Sequence, residues 1–466
     1  MRSRFLRRRF ARIGLALTVG LVVVGAFGLV ATAASPPGFK TAKPAYLKPL
    51  EPGVVIDPII STGDLVGGYQ MSGIPDGLGA YKDSGNLQVL SNHELGKTFP
   101  GQPAGVDARI SKYTLNDKTH GVISATYLFN GSEGFERFCS ATLEVVNGTP
   151  YYFTGEEAIN AGHDGSSIVM NAVTGTWTET PHFGHIQHEN IVPVERIKKF
   201  MIVTTDDDFR VGSPSLLLAY IADSFEDGVS GDPAHGSLYV WKATNPADTP
   251  ATITEGSTIP GEFVPLTQAE NANSTTIKTA AAAKGAFKFS RLEDAATAQQ
   301  TAGRVYFADT GKAGDVSVSG RIYQLDIDPS DPTKASLTFL LASETHGFAN
   351  PDNLDASANS LVFLEDREAP FRAMYGRVLV YDLKDKTLRA VARVDPPPPI
   401  LPGAWEATGV INAQTLLGND WWLINVQAHG QTAPQPGGPT PPGAQPVPNT
   451  GTGEDGQLLA INIPNS

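Results

Sequence analysis

Six stretches of this chain share one pattern: a short apolar run that breaks into polar, mostly acidic residues. They are LQVLSNHE (87–94), PYYFTGEE (150–157), FMIVTTDDD (200–208), RVYFADTG (304–311), LVFLEDRE (361–368) and WWLINVQAHG (421–430). Their Val, Ile, Phe, Tyr and Trp content is that of strands. Each is followed by a second kind of segment, often opened by Gly or Ser: ARISKYTLND (108–117), GSSIVMNAVTG (165–175), GSLYVWKAT (236–244), GRIYQLDID (320–328), GRVLVYDLKD (376–385) and GQLLAINI (456–463). Several of these alternate apolar and polar positions, as strands with one buried face do.

Most of the first segments begin 50 to 65 residues apart, with one gap of 104. A repeat of this length predicts an all-β fold in which four-stranded units stand radially, a six-bladed β-propeller. A two-domain β-sandwich protein is the competing architecture. The long gap predicts an insertion at 244–284, which is rich in Ala and Thr and has little periodicity. A Pro/Gly-rich loop over 433–453 precedes a last strand at 456–463, expected to complete a blade with N-terminal residues and close the ring. One propeller domain is thus expected over 35–466.

Composition sharpens this picture. The 466 residues include 48 Gly and 35 Pro, which favours strands and turns over helices. Residues 1–34 read as an export signal: six arginines between Arg2 and Arg12, an apolar run from Ile13 to about Val30, then small residues. Arg7, Arg8, Phe10 and Arg12 resemble a twin-arginine signal. An ordinary secretory signal and an uncleaved anchor are the alternatives. Cleavage removes six positive charges and no acids, taking the formal net charge from −13 to −19. Such a surface repels nucleic-acid phosphates, so a nucleic-acid partner is excluded. With the single cysteine Cys139 there is no intramolecular disulfide, and size, metal or ring closure must supply stability.

The chemistry sits where the first segments end. If these are the inner strands, Glu94, Glu156, Glu157, Asp206, Asp207, Asp309, Glu365 and Asp366 converge on one axis, where unpaired carboxylates repel strongly. Bound cations relieve this, and hard oxygen ligands suit Ca²⁺ or ferric iron. Cys139 is read either as a small buried residue or as a thiolate ligand to iron. Further candidates are Glu189 in FGHIQHEN, Arg291 and Glu293 in FKFSRLEDA, and Asp352 and Asn353 in GFANPDNLD. An arginine beside acids forms a surface ion pair or, at a metal centre, clamps a phosphate. His185 and His188 lack a helix to make their spacing a zinc signal. There is no Gly-x-Ser-x-Gly element and no P-loop.

From about residue 86 to 370, the order of these islands resembles the PhoX-type alkaline phosphatases. NHE (92–94), Cys139 followed by GEE (155–157), GHIQHEN (184–190), the Asp pair of TTDDD, SRLED (290–294) and PDNL (351–354) carry the likeness. The departures are SATLEVVNGTPYY in place of a Trp/Gly-rich stretch, Gly155 in place of a Cys, Leu292 in place of a Pro, and a shorter chain. The resemblance implies an exported phosphomonoesterase with a propeller-centred site of two ferric irons and calcium. Its ligands would come from Glu94, Cys139, Glu156, Glu157, Glu189, Asp206, Asp207 and Glu293, with Arg291 as phosphate clamp and Asp352, Asn353, Glu365 and Asp366 in reserve. Its partners would be a small phosphomonoester and the export machinery. It would act as a monomer with no stable membrane association once the signal is cleaved, in the periplasm, at the cell surface or outside the cell. A calcium-dependent propeller hydrolase of the lactonase or phytase kind is an alternative, as is a non-catalytic calcium-stabilised propeller.

Overall fold

The computed structural model describes residues 37–96, 107–159, 162–267, 269, 271–368, 370–438, 444–445 and 448–466. The expected signal over 1–34 lies outside the described residues. Among the described residues, no helix is long and apolar enough to cross a membrane.

Antiparallel sheets dominate, and each starts from a strand near one common axis. Pro75–Asp83 opens a four-stranded sheet through Asn86–His93, Arg109–Leu115 and Val122–Phe129. Phe138–Val146 opens a second through Thr149–Glu156, Ser167–Asn171 and Trp177–Glu179. A nine-stranded sheet begins at His188–Pro193 and ends at Leu292–Thr297, and these two end strands lie beside each other. Pro351–Ala356 opens the next sheet and Trp405–Asn412 the last. The axial strands touch in a closed cycle: Pro75–Asp83, Phe138–Val146, His188–Pro193, Leu292–Thr297, Pro351–Ala356, Trp405–Asn412, and back to Pro75–Asp83. This is a propeller-like arrangement of sheets.

The burial pattern explains why the first sequence segments are nearly continuous in apolar residues. Side chains alternate between the two faces of a strand, and here both faces are covered. In Ser360–Glu365, Leu361 and Phe363 pack with Tyr306 and Ala308 of the sheet on one side. Val362 and Leu364 pack with Trp422 and Ile424 on the other. The same division places Val203 against Phe307 and Ile202 against Phe153.

Four expectations change. The first segments are the second strands of their sheets, not the innermost. Each axial strand precedes them, turns away from the axis through a hairpin, and the second strand returns towards the axis. GSLYVWKAT forms a fourth strand, because Leu217–Ala222 intervenes. The 244–284 insertion holds a strand, Thr258–Pro265, which bridges Gly236–Ala243 to Lys334–Ala342. It also holds a helix, Ser274–Lys284, capped by Asn273 and ended by left-handed Gly285. The Pro/Gly-rich stretch is partly strand: Trp421–Pro436 pairs with Pro448–Asn462 out to Pro436 opposite Pro448. Pro448–Asn462 in turn pairs with Val55–Ser61, so N-terminal residues complete the last sheet.

Candidate metal centre

One irregularity recurs on the axial strands. Between Pro75 opposite His93 and Leu78 opposite Ser91, three steps on the axial strand match two on its partner. The same bulge follows Phe138, His188, Leu292 and Pro351. A bulge re-aims side chains where ladder pairing is interrupted. The residue just inside each bulge is Asp76, Cys139, Glu189, Glu293 or Asp352, and all five line one cavity. The sixth axial strand departs. Its bulge lies at Thr408–Ile411, where Gly409 has φ +53° and an added Cβ would stand 2.1 Å from the Asp76 carbonyl oxygen. Glu406, before that bulge, supplies the acid on this side of the cavity.

The second strands contribute by period-two alternation. Glu94, Glu157, Asp207 and Asp366 lie just beyond the last strand residue and reach the cavity. The residue before each is turned away from it. Glu156 accepts from the backbone N–H of Glu136 (2.6 Å), His163 (2.9 Å) and Gly165 (2.9 Å). Asp206 takes Lys278 Nζ at 2.8 Å. Asp309 accepts from the N–H of Ser290 and Arg291. Glu365 accepts from Arg367 and Arg377 and from the N–H of Ala349. Of the sequence-predicted candidates, the fold therefore brings Glu94, Cys139, Glu157, Glu189, Asp207, Arg291, Glu293, Asp352 and Asp366 to one cavity. Glu156, Asp206, Asp309, Asn353 and Glu365 do not line it. Asn353 instead donates to Ser140 Oγ at 2.7 Å, and that hydroxyl donates to Glu189 at 2.6 Å.

The cavity has a volume of about 890 Å³. Potential ligand atoms lie within 4.8 Å of one another in four overlapping groups: Asp76–Glu94–Cys139, Cys139–Glu157–Glu189, Glu189–Glu293–Asp352 and Asp352–Asp366–Glu406. Shared members join them into one arc. Burial, then neighbouring carboxylates, pushes Asp76 well above the usual carboxylate range. Asp366 behaves likewise. Glu157, Glu189, Glu293 and Asp352 are also raised, burial being the largest cause. The Cys139 thiol is pushed up by burial and by Glu157, Glu94 and Glu189. Glu406 is the exception: burial opposes its charge, but hydrogen bonds from His429 and Asp366 lower it.

Arginines balance part of this charge. Arg137 Nη2 lies 2.6 Å from Glu94 and 2.7 Å from Glu157. Arg291 forks onto Asp207 at 2.7 and 2.8 Å and reaches Glu293 at 2.9 Å and Glu368 at 3.0 Å. The donor set suits a hard cation with one softer sulfur position. Buried Asp76 Oδ1 has no hydrogen-bond partner, as expected of an oxygen facing a cation site.

Sequence reasoning missed Asp76, Glu406, His429, Arg137 and Arg372. A signal for Asp76 exists in spacing. Asp76 to Glu94, Cys139 to Glu157 and Glu189 to Asp207 each span 18 residues, the length of one bulged hairpin. The remaining axial strands do not keep that spacing, and on the sixth its loss hides Glu406 and His429.

No family model matches the chain, and no curated protein matches it. Among solved structures it is similar to a protein of unknown function from Dyadobacter fermentans, at 11% identity and TM-score 0.44 over 88% of this chain and 100% of that one. A glycosyl hydrolase from Bacteroides ovatus matches at 12% identity and TM-score 0.38, covering 76% and 99% of the two chains. A 6-phosphogluconolactonase-like protein from Bacteroides uniformis matches at 10% identity and TM-score 0.37, covering 79% and 83%.

Proposed function

We propose that this chain is an exported, metal-dependent hydrolase of phosphate monoesters, built as a six-bladed propeller. In this reading the nine-stranded sheet is two blades joined at their outer edges by Thr258–Pro265. The observation that carries the functional reading is the unbroken arc of ligand atoms around Cys139. Acids this close and this buried are stable together only when protonated or when cations lie between them.

Asp76, Glu94, Cys139, Glu157, Glu189, Glu293, Asp352, Asp366 and Glu406 would hold the iron and calcium. Bound cations would neutralise phosphate oxygens and lower the pKa of coordinated water. The chain's own residues do the rest. Asp207 fixes the Arg291 guanidinium in one plane at the cavity wall, so its position is set before substrate arrives. Arg137, braced by Glu94 and Glu157, is a second preset positive charge. No Ser or Cys nucleophile is required, since Cys139 is given to metal.

A second reading is a non-catalytic propeller whose centre is held by calcium. The engagement of Arg291 by three carboxylates favours it, because four of its five N–H donors are already taken. Elemental analysis of the purified mature protein beside hydrolysis of a chromogenic phosphomonoester separates the two. Iron plus calcium with turnover supports the phosphatase. Calcium without iron, and no phosphate release, leaves the structural reading.

A further inference from the structure

Every cation lining the cavity is already engaged, with one exception. Arg137 and Arg291 are held by acids, and His429 bridges Glu406 at 3.0 Å and Glu454 at 3.1 Å. In the adjoining cavity of about 390 Å³, Lys312 Nζ donates to the carbonyls of Asp208 (2.8 Å) and Ser213 (2.6 Å). Arg372 lines both cavities and has no ion pair or side-chain hydrogen bond among the described residues.

Its backbone is nonetheless well placed. It sits in the short turn Phe371–Ala373, which packs against the turn Pro402–Ala404. The contact is close: a Cβ added to Gly403 would meet the Arg372 Cα at 3.0 Å and the Met374 carbonyl at 2.7 Å. Arg372 is exposed, and once cations offset the acids of the cavity its guanidinium is the group left to attract an anion. Its planar fork suits carboxylate or phosphate. Ile400 and Leu401, just before the Pro402–Ala404 turn, supply an apolar wall to the same cavity.

We infer that Arg372 binds a second anionic group on the leaving-group side of the substrate. The substrates are then phosphate monoesters whose leaving group carries a carboxylate or a further phosphate. This rests on the reading of the deep cavity as the phosphate site. The anionic tail lies where the two cavities meet, and the body of the leaving group passes along the Ile400–Leu401 wall.

The test is calorimetric binding of benzylphosphonate and 4-carboxybenzylphosphonate to metal-loaded wild type, Arg372→Ala and Arg372→Lys. Expected is about tenfold tighter binding of the carboxylated ligand by wild type, the ratio of one charge-assisted pair. That preference should vanish in Arg372→Ala and return in part in Arg372→Lys. Equal binding of the two ligands by wild type overturns the inference, as does binding of neither, or a preference that survives Arg372→Ala. Hydrolysis of phenyl phosphate is read separately. No turnover with the binding preference intact removes the phosphatase reading and leaves Arg372 as an anion site.

Discussion

Cys139 Sγ donates to Glu157 Oε2 across 2.9 Å, joining the bulge of an axial strand to the end of its neighbour in the same sheet. Asp76 with Glu94 and Glu189 with Asp207 occupy the same two positions in their own sheets. The thiol is thus one member of an arc otherwise built from oxygen.

This arrangement predicts an inert thiol until metal arrives. Burial and three nearby carboxylates hold Cys139 protonated, and only a thiolate alkylates quickly. Chelator-treated, folded protein at pH 8 should therefore resist iodoacetamide, and the urea-unfolded chain should react. With ferric iron bound, thiolate-to-iron charge-transfer absorption should appear in the visible and be missing from Cys139→Ala. Fast alkylation of the folded metal-free protein would show that the thiol is not buried as described.

The acids set an unusual pH dependence for the metal-free fold. Asp76, Glu157, Glu189, Glu293, Asp352 and Asp366 are raised above the unfolded carboxyl range of about 4. Asp294 and Glu156 are raised to about 7 and about 8, burial being the largest cause in both. The folded chain then binds more protons than the unfolded one, so their stabilisation is present near pH 4 and is lost as pH rises through about 8. Asp57 and Asp208 are lowered by their ion pairs and act in the opposite sense, losing their contribution only in acid. Tm of chelated protein should fall from pH 5 to pH 8. Calcium fixed at 100 times its Kd at pH 8 should restore about 2.7 kcal/mol there, and less at pH 5, where protons compete for the same oxygens. A Tm flat in pH and indifferent to calcium would mean that the arc binds no cation.

Two adjacent acids separate structural from ligand roles. Glu365 holds Arg367, Arg377 and the Ala349 N–H, and is fully buried. Glu365→Gln leaves two arginines without their shared partner and should cost about 3–5 kcal/mol in urea unfolding, with metal content per folded molecule unchanged. Asp366→Asn should do the reverse, lowering bound metal at little cost in stability, because the amide can still donate to Glu406. Loss of metal in Glu365→Gln without loss of stability would reverse the two assignments.

How much of this was legible in the sequence depends on what the pattern encodes. Runs such as LVFLE and FMIVTT reveal strands, and their spacing reveals the radial repeat. Their acidic ends suggest inner strands, yet they stand second in their sheets. Second strands are more apolar because each is clamped between two neighbouring sheets, while the axial strands carry polar bulges such as Glu189-Asn190 and Asp352-Asn353. The acidic pairs Glu156-Glu157 and Glu365-Asp366 were visible as pairs. Which member faces the axis is a question of strand register, and a one-residue shift reverses it.

The insertion makes a last prediction. Lys278, on the helix Ser274–Lys284, lies 2.8 Å from Asp206 and also pairs with Asp208. Both carboxylates are fully buried, and between them in the chain stands Asp207, which fixes Arg291. Asp208 keeps Arg210 and Ser213 without Lys278, but Asp206 retains only the N–H of Leu216. Lys278→Met should therefore destabilise by about 3–5 kcal/mol, the cost of stranding one buried charge. Adding Asp206→Asn should recover most of that loss, because removing both charges is far less costly than removing one. Urea unfolding of the two variants measures this. If the double variant is no more stable than Lys278→Met, the lysine acts by anchoring the helix and not by neutralising Asp206.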